Sequence, residues 1–320
     1  MHLNIQQRAV SSQFTLPFIS VIGCIVWFLL KPTGVTWTSL LLALVASALA
    51  VYMLAEFNSR NVLLRVSSRV ISSLLVVLLT IALPLHSFQT GYVTMLLSLF
   101  SFFPFFLMYQ SPSPALTFVA YLALALSSFV FPAMLLLVPF YWMSQAYMRG
   151  ITFRCLVASL LALLVPYWIY LGILVYLDDY ETIQHVAARF SPAAIGGQHW
   201  LLRLAEWSIV QTAQFLYVLL FLLVGLVDFY IKSHYDKTRV RIIYNIVIMH
   251  AVVVLLLLML SAGAFYQLFP LLMVDAAIVG GHFVAQTQNR FSLIFVWVML
   301  LAGVALIAIS YITPQSRLDW

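Results

Sequence analysis

The sequence predicts an all-α, polytopic membrane bundle, and three observations carry that prediction. Apolar residues make up 64% of the chain and charged residues 8%, a balance that excludes a soluble globular domain. The apolar residues come in successive runs close to the ~20 needed for a helix to cross a bilayer. None of the runs shows the alternating pattern of an outer-membrane barrel strand.

Taken in order, the runs fall at 14–30, 38–56, 70–88, 92–109, 115–131, 132–146, 155–177, 209–231, 242–265, 268–283 and 291–312. Against the bilayer ruler this makes about eleven spans, some short or broken. The opening MHLNIQQRAVSSQF has no small-residue cleavage site, so the first run is read as a retained span. The pair of runs that meet at Phe131-Pro132 and the run at 268–283 are short for a full crossing, with a half-helix or re-entrant hairpin lying within protein as the alternative to a span. Pro84, Pro104, Pro132, Pro139, Pro166 and Pro270 lie in or beside the runs and are read chiefly as helix-end marks. Residues 1–320 are taken as a single transmembrane domain.

Orientation follows from the basic residues. With the N-terminus cytoplasmic, eleven of the fifteen Lys and Arg residues fall in inner loops, and only Lys31, Arg189, Arg203 and Arg317 lie outside. The net charge of +6 is then loop charge of the positive-inside kind, with no need of a nucleic acid partner. The two cysteines, Cys24 and Cys155, sit in or beside apolar runs and offer neither a disulfide framework nor a metal-thiolate spacing.

One long polar interval breaks the apolar series: DDYETIQHVAARFSPAAIGGQHWLLRLAEW, residues 178–207. It is expected to be an outward-facing amphipathic loop. As a helix, its first part aligns Glu181, His185 and Arg189 on one face, with Ile183, Val186, Ala187 and Phe190 opposite. Ser191-Pro192 stops that helix and Gly196-Gly197 turns the chain. A second short helix, 199–207, sets His199, Arg203 and Glu206 against Trp200, Leu201, Leu204 and Trp207. Such helices commonly float in the membrane interface as simple connectors. They also supply chemistry: Arg189 and Arg203 suit a phosphate, because guanidinium binds it bidentately and stays charged. His185 or His199 suits a base near neutral pH, with Glu181 and Asp179 as orienting carboxylates.

A second candidate lies inside the apolar runs. Asp275, in LFPLLMVDAAIVGGHF, occupies a position where a charge costs some ~2.5–3.5 kcal/mol on insertion scales, so it is expected to face a cavity or a partner. His250, in NIVIMHAVVVLL, and His282, seven residues beyond Asp275 and on its face, are the candidate partners. A buried Asp satisfied by backbone or hydroxyl groups is the plainer alternative. Glu56 and Asp228 read as surface carboxylates beside basic loops, Asp236 as part of a solvated loop, and the Gly280-Gly281 pair as carrying little signal. No Gly-rich phosphate loop, HExxH or Gly-x-Ser-x-Gly elbow is present, and no metal or cofactor is expected.

The arrangement of many spans, broken apolar pairs and an outer loop bearing Arg189, Arg203, His185 and His199 resembles the O-antigen polymerase and ligase group of polyprenyl-linked glycan enzymes. It is similar as well to multi-pass families of the bacterial inner membrane that have no assigned activity. The first resemblance implies a lipid-linked (polyprenyl-phosphate) or glycan substrate handled on the non-cytoplasmic face of an inner membrane. It departs from metal-dependent C-type glycosyltransferases, whose first outer loop is acidic, because KPTGVTW at 31–37 has no acid. Two non-enzymatic classes stay open beside it. One is a transporter or flippase with a cavity around Asp275, and the other is an assembly subunit that docks membrane protein partners. Membrane lipids are expected contacts in every case.

Overall fold

The computed structural model describes residues 12, 14–32, 34–65, 68–190, 207–261, 265–286 and 290–312, with the side chains of 185, 187 and 291 excepted. All regular structure among them is helical. The α-helices are α1 Thr15–Leu29, α2 Trp37–Asn61, α3 Val70–Ile81, α4 Thr90–Leu107, α5 Pro114–Val130, α6 Leu137–Tyr147, α7 Phe153–Tyr176, α8 Tyr180–Arg189, α9 Ile209–Lys232, α10 Thr238–Leu260, α11 Phe265–Gln286 and α12 Arg290–Ile312. Seven helices are long and apolar enough to cross a membrane: α2, α4, α7, α9, α10, α11 and α12. Three further apolar helices, α1, α3 and α5, are shorter. The chain thus has the build of a multi-pass membrane protein.

Local chemistry sets several helix starts. The hydroxyls of Thr36, Ser113 and Thr152 accept from the backbone N–H three residues on and open α2, α5 and α7. Ser208 and Gln211 form a reciprocal capping box at α9. Five of the six prolines named above divide into two groups. Pro84 and Pro132 start 3-10 turns, Leu83–His86 and Pro132–Leu136. Pro104, Pro166 and Pro270 lie inside continuous helices, so for these the helix-end reading is corrected. In lipid a helix that stopped would leave several backbone groups without partners, so the chain keeps its helix across one missing donor. The run at 268–283 likewise belongs to a continuous 22-residue helix, α11, long enough to cross.

The chain falls into two compact units. Unit 1 is drawn from Met1–Tyr92, Trp207–Ala251 and Phe269–Trp320, and unit 2 from Val93–Glu206 and Val252–Leu268. In unit 1, α1 and α2 pack on α3, while α12 packs on both α3 and α9. Glycines permit the approach of α11 to α9 and to α3. A Cβ on Gly225 of α9 would lie 2.6 Å from the Val279 carbonyl oxygen of α11, and one on Gly281 would lie 3.0 Å from the Ile71 Cα of α3. Without a hydrophobic force between helices in lipid, such backbone contact is what holds them together. The Gly280-Gly281 pair is therefore a packing feature.

Unit 2 is built on α5 against α7. Its buried amide, Gln145, donates to the Thr117 hydroxyl at 3.0 Å and to the Gly150 carbonyl at 2.9 Å, and accepts from the Tyr121 hydroxyl at 3.3 Å. A fully paired polar hub of this kind is tolerated in an apolar setting because no group is left unsatisfied by it.

Candidate functional site

Helix α11 is apolar on all sides, and a helix of that kind is sequestered within protein. It nevertheless carries Asp275 and His282, both with 0% exposure. Asp275 is paired with His250 of α10, also at 0%. The His250 Nδ1 lies 2.9 Å from Asp275 Oδ2 and 3.1 Å from Oδ1. An ionised carboxylate only accepts, so with Asp275 charged it is Nδ1 that holds the proton and donates.

Two turns along the same face, roughly 10 Å by the helix rise, His282 turns away from Asp275 to a different carboxylate. Its Nε2 lies 3.1 Å from Asp236 Oδ2, and its Nδ1 lies 3.9 Å from Asp228 Oδ2. The imidazole therefore sits between two aspartates, with the rings of Tyr244 and Phe229 edge-on to it at 4.8 and 5.5 Å. Each aspartate has a cation on its far side. Arg65 Nε donates to Asp236 Oδ1 at 2.7 Å, and Lys232 Nζ is 2.5 Å from Asp228 Oδ1. Arg65 also donates to the Lys232 carbonyl at 3.2 Å and lies over the Tyr235 ring. The result is a polar cluster ordered Arg65, Asp236, His282, Asp228, Lys232.

This corrects the reading of Asp236 as a solvated loop residue: its side chain is 2% exposed. The loop between α9 and α10 is only a few residues long, and the Arg65 bond draws it onto the end of α11. Asp228 does pair with a nearby lysine, but at 8% exposure it is buried as well. Burial alone would raise the Asp236 carboxyl, but the hydrogen bonds from His282 and Arg65 outweigh it and hold it at about 2, below the ordinary 3.8. A depressed carboxyl contributes stability that is full above its unfolded value and is lost as pH falls through the folded one. The stability difference between wild type and Asp236→Asn is therefore expected to persist at pH 5 and to shrink between about 3.8 and about 2. Thermal unfolding in detergent at pH 5 and pH 3 checks it, and a larger difference at pH 3 would contradict the assignment.

The candidates in the 178–207 interval are only partly described. His199 and Arg203 lie outside the described residues, as does the side chain of His185. Asp179 caps α8: its carboxylate accepts from the Thr182 N–H at 3.1 Å and from the Thr182 hydroxyl at 2.6 Å. Glu181 is exposed on the first turn. Arg189 Nη2 donates to the Val130 carbonyl at 3.0 Å, at the C-terminal end of α5, where a cation meets the negative end of the helix dipole. Phe190, on the apolar side, packs edge-on against Tyr167 of α7.

The structure thus brings Asp275 and His250 together and places His282 in a separate cluster. Sequence reasoning missed Arg65, Asp228, Asp236 and Lys232 as members of that cluster. Their only signal was a carboxylate inside a basic loop, which a solvated loop shows equally well. Among the described residues no group of three or more His, Cys, Asp or Glu side chains is arranged to hold a metal. Comparisons with protein-family models, with curated proteins and with solved structures find no match.

Proposed function

We propose that the chain is a multi-pass membrane transporter, of the flippase or carrier kind, in which α11 carries the proton-binding sites. The observation that carries this reading is the His250–Asp275 pair, fully buried between two long apolar helices. Ionisable groups at such depth are costly and concentrate on ion and proton paths. A proton taken up by Asp275 would keep it bonded to His250 with donor and acceptor exchanged, the carboxyl O–H then donating to Nδ1. His282, on the same face and bonded to Asp236, offers a second such station towards the loop end of α11. The outer-loop enzyme reading draws less support, because Asp179 and Arg189 are engaged in capping α8 and α5.

The test is proton flux. The purified full-length chain is reconstituted into liposomes that contain a pH indicator, and the external pH is stepped. Wild-type vesicles are expected to collapse the gradient faster than empty ones, and Asp275→Asn vesicles to match the empty rate. Equal rates for wild type, Asp275→Asn and empty vesicles would overturn the reading.

A further inference from the structure

A groove of about 820 Å³ runs between α1, α2 and α3 of unit 1. Its two ends differ in chemistry. Ser59, Arg65 and Arg69 line one end, and Ala48, Val76 and Leu79 line the length that follows the helices. A slot with a polar mouth and an apolar length is complementary to an amphiphile, with few polar groups fixing its orientation.

The charge at the mouth selects the sign of the head group. Glu56, which also lines the mouth, is neutralised by Arg60 at 2.6 Å. Arg65 is spent on Asp236. Arg69 is exposed, and no carboxylate lies within ion-pair distance of it among the described residues. It stands at the start of α3, where the helix adds its own partial positive charge. The mouth therefore carries one uncompensated guanidinium, which favours a phosphate. The walls reach the outer surface at Tyr52, 67% exposed, and Val62, 62% exposed, so an occupant enters sideways without opening the helix packing.

We propose that this groove is a binding site for one anionic phospholipid of the surrounding bilayer, its phosphate on Arg69 and an acyl chain along Ala48, Val76 and Leu79. The site meets the α11 cluster only at Arg65, which is already engaged by Asp236, and it does not depend on the transport reading.

Native mass spectrometry of the full chain, titrated with phosphatidylglycerol or phosphatidylcholine of the same acyl chains, tests it. Wild type is expected to retain one phosphatidylglycerol per chain and to hold phosphatidylcholine more weakly. Arg69→Gln removes a single exposed charge and is expected to weaken the phosphatidylglycerol adduct by about fivefold, the worth of one arginine near an anionic lipid surface. Ala48→Trp fills the apolar length and should abolish the single-lipid adduct. Equal phosphatidylglycerol retention by wild type and Arg69→Gln would overturn the proposal, as would equal retention of the two lipids by wild type.

Discussion

Replacing His250 with leucine should destabilise the fold by about 3–5 kcal/mol, the usual consequence of removing one partner of a buried ion pair. The size follows from what remains. Asp275 has 0% exposure, and the imidazole nitrogen that approaches both of its oxygens would be gone. A carboxylate in that position must either stay charged without its partner or take up a proton. The double variant His250→Leu with Asp275→Leu should recover most of the loss, since a well-packed apolar pair often equals or exceeds a buried ionic one. Denaturant titration of wild type, His250→Leu, Asp275→Leu and the double variant in mixed micelles gives the cycle. If the double variant were as unstable as the single one, the loss would be one of packing and the pair would carry no coupling.

The same cycle separates folding from transport. The double variant keeps the packing but has no titratable group at the site. On the transport reading it should fold and yet match empty vesicles in the pH-step assay. The pair would then be retained for what it does with a proton, at no gain in stability.

How much of this was legible in the sequence depended on how far apart the partners lie. Asp275 stood out because a charge within LLMVDAAIV is conspicuous against its own neighbours. The helical class was legible for a similar reason: each apolar run declares itself. Asp236 was not, because its neighbours in sequence, Lys237 and Arg239, belong to an ordinary basic loop. What buries it are Arg65 and His282, which are 171 and 46 residues away. Local pattern reports a residue's setting only when its partners are local. Pro270 shows the same limit from the opposite direction. A proline with flanking phenylalanine looks like a stop, and whether the helix continues through it depends on neighbours that the local sequence does not reveal.

The glycines were the least legible feature and lead to the second large effect. Gly225→Val is expected to cost about 3 kcal/mol or more, at or beyond the upper end for overpacking. A Cβ there would lie 2.6 Å from the Val279 carbonyl oxygen, 2.7 Å from its carbon and 2.9 Å from the Gly280 nitrogen. All three are backbone atoms of α11, so no side chain can swing aside, and α9 must move off α11. Gly280→Ala should cost less, because its new Cβ would meet the side-chain tips of Leu74 and Phe221 at 3.3 Å, which can yield by a few tenths of an ångström. Gly172→Ala, with nothing within 4 Å, should be neutral or stabilising, since alanine is the better helix former by about 1 kcal/mol. The order Gly172, Gly280, Gly225 is read from unfolding midpoints in one detergent. Asp228 follows Gly225 by less than one turn, so a displaced α9 would also draw Asp228 and Lys232 away from His282. If Gly225→Val melted like wild type, α9 and α11 would not be in backbone contact, and the placement of His282 between its two aspartates would fall with that contact.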